Sequence, residues 1–262
     1  MNTTLITGAS SGIGEAFARR LAERGDNLLL VARSEDKLIN LCNALGRSSS
    51  IHAQYFAIDL SKPESAARLF EETEKRDLQI NFLINNAGFG SRGEFATLPL
   101  ETELNIIDLN VRSLVELTHR YVQPMRARKQ GTILNVASTA AFQPVPYMTT
   151  YAATKAFVLS FSEALWEENR AHGIQVMALC PGVTETGFFV ASKMDRPPAR
   201  VSQTAEEVVD TALRALKRGK SHVISGWTNF FVTESERIMP RSVVLRLVGS
   251  IMRGAASGNK SK

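Results

Sequence analysis

Cysteine is scarce. The 262 residues hold two, Cys42 and Cys180, far apart in the chain and without metal-ligand spacing. That excludes a disulfide-stapled scaffold, and two reduced thiols in a reducing compartment are expected. Long apolar runs are missing too, since no stretch approaches the roughly 20 residues of a membrane-spanning helix. Met1-Asn2-Thr3-Thr4 leads straight into a strand-like segment with no basic leader or cleavage signal, so a cytoplasmic location is expected. Nine prolines and 17 glycines are too few for a collagen-like or low-complexity chain. What remains, with 44% hydrophobic and 22% charged residues, is an ordinary globular composition at a length suited to one well-buried α/β domain.

The net charge of +5 is unevenly placed. From position 237 to 262 the chain carries Arg237, Arg241, Arg246, Arg253, Lys260 and Lys262 and no acid, so this tail contributes +6 and the rest sums to −1. The body is electrically ordinary. No nucleic-acid module accompanies the tail charge, and nucleic acid is not an expected partner.

Apolar runs of strand length fall at 3–7, 28–32, 51–58, 80–85, 131–137, 174–179 and 221–225. Helical patterns lie between them, near 13–24, 34–45, 63–76, 101–128, 151–171 and 204–217. Runs such as Leu28-Leu29-Leu30-Val31 are apolar on both sides of the alternation, which suits a parallel sheet covered on both faces. The expected fold class is therefore α/β: a Rossmann-like, doubly wound parallel sheet of about seven strands with helices on both faces, plus a C-terminal helical extension. Residues 187–202, with Pro197-Pro198, read as an irregular loop, and 254–262 as frayed.

The first strand runs into Thr7-Gly8-Ala9-Ser10-Ser11-Gly12-Ile13-Gly14 and then a helix. At such a turn Gly8 permits the bend, Gly12 lets backbone approach a pyrophosphate and Gly14 lets the helix pack on the sheet. Backbone N–H groups and the helix dipole then favour phosphate charge. A merely sharp turn is the simpler alternative, but the position after the first strand favours a dinucleotide. At the tip of the second strand stands Arg33, where an NAD site would place an acid. Arg33 can pair with a ribose 2′-phosphate and stack on adenine, so NADPH/NADP+ is expected over NADH, with a solvated surface arginine as the alternative. Glu35 and Asp36 follow in a helix expected to be capped by Ser34.

Tyr151-Ala152-Ala153-Thr154-Lys155 puts a phenol and an ammonium on one helix face. A tyrosine of pKa about 10 is a poor acid–base group at neutral pH unless its phenolate is stabilised. A neighbouring ammonium is expected to lower it. YxxxK alone is a common chance pattern; Tyr147 lacks a lysine four residues on, which leaves Tyr151 the better candidate.

The ordered series Thr7-Gly8-xxx-Gly12-x-Gly14, Asp59, Asn85-Asn86-Ala87-Gly88, Asn110, Ser138, Tyr151-xxx-Lys155, Pro181-Gly182 and Thr184/Thr186 resembles the short-chain dehydrogenase/reductase family over roughly residues 1–225. The resemblance implies hydride transfer between NADP(H) and a small-molecule carbonyl or alcohol substrate, made directly at carbon and without a metal. Ser138 would polarise the substrate oxygen, Tyr151 would give or take its proton, Lys155 would hold the nicotinamide ribose and tune the tyrosine, and Asn110 would hold a water linking Lys155 to solvent. Ser10, Ser11 and Ile13 would join the three glycines around the phosphates. Asp59 and Leu60 would meet the adenine, Asn86, Ala87 and Gly88 the adenosine ribose. Pro181, Gly182, Val183, Thr184 and Thr186 would surround the nicotinamide amide and phosphates.

Relatives preferring NADPH often carry a basic residue where Ser11 stands, so here the charge rests on Arg33 alone. Asp59 could instead cap the segment before Pro63, and Asn85-Asn86 could be a plain turn. His119 and His172 read as structural or exposed. The family also implies a homodimer or homotetramer built through the helices near 101–128 and 151–171. Phe188-Phe189-Val190, Met194 and Pro197-Pro198 would form an apolar lid over a hydrophobic substrate or could equally pack on the body, and residues 139–150 with Phe142, Gln143, Val145 and Tyr147 would line the opposite wall.

Residues 1–235 thus read as the NADP-binding catalytic domain and 236–262 as its basic amphipathic extension. In that extension Val243, Val244, Leu247, Val248 and Ile251 lie on one side, with Arg246 and Arg253 on the other. Packing on the domain, a sister subunit or the substrate mouth is favoured over peripheral membrane contact. A catalytically silent NADP-binding regulatory module is the rival function, and the complete Asn110, Ser138, Tyr151 and Lys155 set speaks against it.

Overall fold

Leu28-Leu29-Leu30-Val31 forms the middle of strand β2 (Asn27–Ala32), and all four side chains are buried. Leu28 and Leu30 enter one core cluster and Leu29 and Val31 the other, as the two-residue period of a strand requires. Each such leucine contributes about 1.5–3 kcal/mol by burial. The computed structural model describes residues 1–186, 202–236 and 239–257. The other strands are β1 (Asn2–Thr7), β3 (Ala53–Ala57), β4 (Gln79–Asn85), β5 (Gly131–Val136), β6 (Ile174–Cys180) and β7 (His222–Ile224). They form one seven-stranded sheet in the order β3-β2-β1-β4-β5-β6-β7, every pair parallel.

Among the described residues the α-helices are α1 (Gly12–Glu23), α2 (Glu35–Ser48), α3 (Ser65–Lys75), α4 (Leu100–Ile107), α5 (Leu114–Arg128), α6 (Thr149–Asn169), α7 (Ala205–Leu216), α8 (Trp227–Glu236) and α9 (Arg241–Ser257). One face of the sheet is covered by α1, α2 and α7, the other by α3, α5 and α6. Strand β1 lies between β2 and β4, so the strand order reverses there. The crevice at the carboxyl ends of β1 and β4 is where doubly wound sheets bind ligands.

Several local expectations change. The helical pattern at 101–128 is interrupted by a π-helical turn, Asp108–Ser113, that separates α4 from α5. Ser34 stands at the N-cap of α2, but its side chain makes no capping bond. The α8 helix was not foreseen, because Trp-Thr-Asn-Phe-Phe-Val lacks a clear 3.6-residue pattern. Asn229 amide donation to the Ser225 carbonyl (2.7 Å) and the left-handed Gly226 (φ +90) start it. Helix α9 continues past Gly254 to Ser257, where fraying was expected. Residues 258–262 and the proposed lid, with Phe188, Phe189, Val190, Met194, Pro197 and Pro198, lie outside the described residues.

Candidate active site

The site begins at the end of β1. Thr7 Oγ1 donates to the Ile84 carbonyl (3.3 Å) and accepts the N–H groups of Asn86 and Ala87 (3.0 Å each). The Asn86 amide donates to the carbonyls of Thr7 (2.9 Å) and Gly8 (3.2 Å). The ends of β1 and β4 are thereby tied into one rim. Gly8 and Gly12 are left-handed (φ +66 and +58), and a Cβ at Gly12 would stand 2.8 Å from Cβ of Thr186. A Cβ at Gly14 would run into the Gly8 carbonyl. Ser11 precedes α1 without a side-chain cap, which leaves the first-turn N–H groups of Gly12, Ile13 and Gly14 to an anion. A cradle that any Cβ would fill, at the switch point and at a helix N-terminus, fits a dinucleotide pyrophosphate.

Around the cradle stand the other expected contacts. Arg33 is exposed just past β2, with no ion pair or hydrogen bond of its guanidinium among the described residues. Asp59 Oδ1 accepts from the Ser61 N–H (3.0 Å) and hydroxyl (2.8 Å), so this carboxylate shapes its own turn, while Leu60 is buried beside it. The Pro181 carbonyl accepts the Thr139 N–H (2.9 Å), and Thr184 Oγ1 donates to the Gly182 carbonyl (3.1 Å). Backbone pairing with Gln203 holds Val183 and Glu185, at 2.9 Å each.

Tyr151 and Lys155 lie one turn apart on α6, both buried. Ser138, at the end of β5, acts on the Tyr151 phenol in the direction that favours its phenolate, and its Oγ accepts the Ala140 N–H (3.1 Å). Lys155 Nζ donates to the Val136 carbonyl (2.7 Å). Burial pushes the Tyr151 phenol up to about 12, opposed only by the Ser138 hydrogen bond, and pushes the Lys155 ammonium down to about 8. The tyrosine therefore moves opposite to the expected lowering, because desolvation disfavours its phenolate.

Asn110, buried in the π-helical turn, accepts the Phe89 N–H (3.2 Å) and donates to the Phe89 carbonyl (3.0 Å) and to Thr154 Oγ1 (3.1 Å). A Cβ at Gly88 would stand 2.9 Å from Asn110 Oδ1 and 3.5 Å from Lys155 Nζ. Asn110, Gly88 and Lys155 are thus brought together, with the Asn110 amide taken up by Phe89 and Thr154.

Four further residues had no signal in the sequence because each acts through a distant partner. Asn135 accepts from Asn85 (2.9 Å) and donates to Ser162 (2.9 Å) beneath the site. Asn229 packs so closely on Gly182 that a Cβ there would overlap it. Gln203 braces the Val183–Glu185 backbone. Arg92 Nη2 donates to the Met252 carbonyl of α9 (3.1 Å). The left-handed Tyr147 (φ +66) accepts the Gly93 N–H (2.9 Å) and so joins the two loops at the mouth. His119 and His172 are exposed.

The parallel sheet and glycine turn at its switch point define a Rossmann-type α/β protein. The chain belongs to the short chain dehydrogenase family, whose model matches residues 2–197, and is an oxidoreductase of that family. It is 34% identical over 220 residues to the very-long-chain 3-oxoacyl-CoA reductase of Rattus norvegicus, covering 81% of this chain and 67% of that protein. It is 31% identical to the 7beta-hydroxysteroid dehydrogenase of Mediterraneibacter gnavus, over 86% of each. A short-chain dehydrogenase from Sphingobium yanoikuyae in complex with NADPH superposes with a TM-score of 0.81, at 35% identity, over 86% of this chain and 87% of that one.

Proposed function

We propose that this chain reduces the carbonyl of a lipophilic small molecule with NADPH, with the reverse alcohol oxidation open to the same site. One observation carries the reading: Tyr151 and Lys155 lie buried one helical turn apart, with Lys155 Nζ 5.7 Å from the Tyr151 ring, and Ser138 acts on the same phenol beside the glycine cradle. Bound NADPH supplies the hydride to the substrate carbon. Ser138 donates a hydrogen bond to the substrate oxygen, and Tyr151 protonates that oxygen as it gains charge. Burial keeps the Tyr151 phenol protonated at neutral pH and makes it a weaker acid, so the proton passes to the substrate oxygen only as that oxygen gains charge. Lys155 holds the nicotinamide ribose, and Asn110 keeps Gly88 and Phe89 in place beside it.

The cofactor is NADP(H). Gly8, Ser10, Ser11, Gly12, Ile13 and Gly14 hold the pyrophosphate, and Arg33 meets the 2′-phosphate. Asp59 and Leu60 lie at the adenine, Asn86, Ala87 and Gly88 at its ribose, and Pro181, Gly182, Val183, Thr184 and Thr186 at the nicotinamide. The names of the rat and M. gnavus relatives, an acyl-CoA reductase and a hydroxysteroid dehydrogenase, support a lipophilic carbonyl. Leu100, Leu104 and Ile107 of α4 and Phe157 of α6 are exposed, which supports a homo-oligomer through these helices. The test is a panel of 3-oxoacyl thioesters, steroid ketones and short polar ketones with NADPH, followed by nicotinamide absorbance. Turnover confined to the polar ketones overturns the lipophilic assignment, and no turnover on the whole panel favours a silent NADP-binding module.

A further inference from the structure

Helices α8 and α9 carry apolar surface that the chemistry above does not use. Trp227 is 79% exposed, and Phe230, Phe231 and Val232 are exposed beside it. The rings of Trp227 and Phe231 stack at 6.3 Å, and Phe230 meets Phe231 edge-on at 5.8 Å. On α9 only part of the expected apolar side packs on the domain. Val244 is 4% exposed, whereas Val243, Leu247 (53%) and Ile251 (62%) recur every four residues and stay exposed. Two consecutive helices with such surface mark an interaction site.

We propose that α8 and α9 dock this protein on an anionic lipid bilayer, the aromatic cluster and the Val243-Leu247-Ile251 stripe entering the headgroup boundary. Charge selects the occupant. Arg241 and Arg246 are exposed on α9, positions 237–262 hold no acid, and the two acids of α8, Glu234 and Glu236, stand at its C-terminal end, away from Trp227. An isologous contact with a second copy would set this basic segment against itself, whereas anionic headgroups complement it. Tryptophan, phenylalanine and leucine are also the residues that interfacial helices turn towards the acyl boundary. No helix among the described residues is long and apolar enough to cross a membrane, so the contact is peripheral. Arg92 bonded to the Met252 carbonyl, and Gly249 beside Pro146, fix α9 to both loops of the site's mouth. Docking through α9 would therefore bring that mouth to the lipid surface. The inference rests on this surface alone and holds whatever the substrate.

The full chain is tested by flotation with phosphatidylcholine vesicles, with and without phosphatidylserine. A Trp166→Phe background leaves Trp227 as the only tryptophan. Binding is expected with phosphatidylserine only, weakened by added salt, with a blue shift of Trp227 emission. Phe231→Ser with Leu247→Ser and Ile251→Ser should abolish it, and Arg241→Glu with Arg246→Glu should weaken it about fivefold or more per residue. All are exposed positions, and a thermal melt confirms that the variants fold. No flotation with phosphatidylserine, or equal flotation of all variants, overturns the proposal. So does light scattering that shows an oligomer lost in the serine variant, since the face would then be a subunit contact.

Discussion

Lys155 Nζ lies 5.7 Å from the centre of the Tyr151 ring and donates at 2.7 Å to the Val136 carbonyl, so the ammonium sits beside the phenol while one ammonium proton is held by a backbone carbonyl. Desolvation then dominates, and the tyrosine keeps its proton far above neutral pH. A positive charge at this distance could still stabilise a phenolate once the site is dry and loaded, because Coulomb terms strengthen as water leaves.

Replacing the hydroxyl tests its role directly. Tyr151→Phe is expected to lower kcat for ketone reduction by about 10²–10⁴-fold, with NADPH affinity changed little. Ser138→Ala should also lower kcat, since it removes both the bond to Tyr151 and the proposed donor to the substrate oxygen. Stopped-flow reduction rates and fluorescence titration with NADPH measure the two quantities. Near-normal turnover by Tyr151→Phe would rule out the proposed proton donor.

The buried ammonium gives a pH signature. Its folded pKa of about 8 lies below the ordinary 10.5, so below pH 8 both folded and unfolded lysines are charged, and the burial penalty is fully present at about 3 kcal/mol. As pH rises from about 8 towards 10.5 the folded lysine loses its proton first and the penalty is relieved. Lys155 should therefore make stability rise with pH across that window. Comparing urea midpoints of the wild type and Lys155→Met at pH 7.5 and 10 isolates the effect. The wild type should gain on the variant at the higher pH, and an unchanged difference would contradict the assignment.

Arg33 is exposed just past β2 and is proposed to meet the 2′-phosphate. Arg33→Asp removes a charge-assisted pair and adds repulsion, so the kcat/KM for NADPH is expected to fall by about 10–100-fold. That for NADH should hold or rise as the acid takes a ribose hydroxyl. Steady-state kinetics with both cofactors decide it, and an unaltered NADPH/NADH ratio would remove Arg33 from the site.

Much of this was legible because it is local or periodic. Leu28 to Val31 announced a doubly covered strand, and Gly8, Gly12 and Gly14 announced a turn whose backbone allows no Cβ. What stayed hidden depends on partners far along the chain. Nothing near Asn110 signals a π-helical turn or a bond to Phe89, and nothing near Arg92 points to Met252, 160 residues on. The direction of the Tyr151 pKa was missed for the same reason. The spacing YxxxK shows a nearby charge, whereas burial is a property of the assembled fold.

Gly182 and Asn229 form the most testable of these hidden pairs. A Cβ at Gly182 would overlap the Asn229 side chain, and φ at Gly182 is not left-handed, so Gly182→Ala is opposed by that neighbour and not by the backbone. Gly182→Ala alone is expected to cost about 1–3 kcal/mol by overpacking and to weaken NADPH binding, since the displaced turn carries Val183 and Thr184. Asn229→Ala alone loses the bond to the Ser225 carbonyl, about 1 kcal/mol. In the double variant the smaller side chain makes room for the methyl group, so the two costs should sum to less than their parts by about 1 kcal/mol or more. Urea unfolding of the four proteins measures the coupling, and NADPH titration should show affinity partly restored in the double variant. Strict additivity in both would mean that Asn229 does not set the position of the Pro181-Gly182 turn.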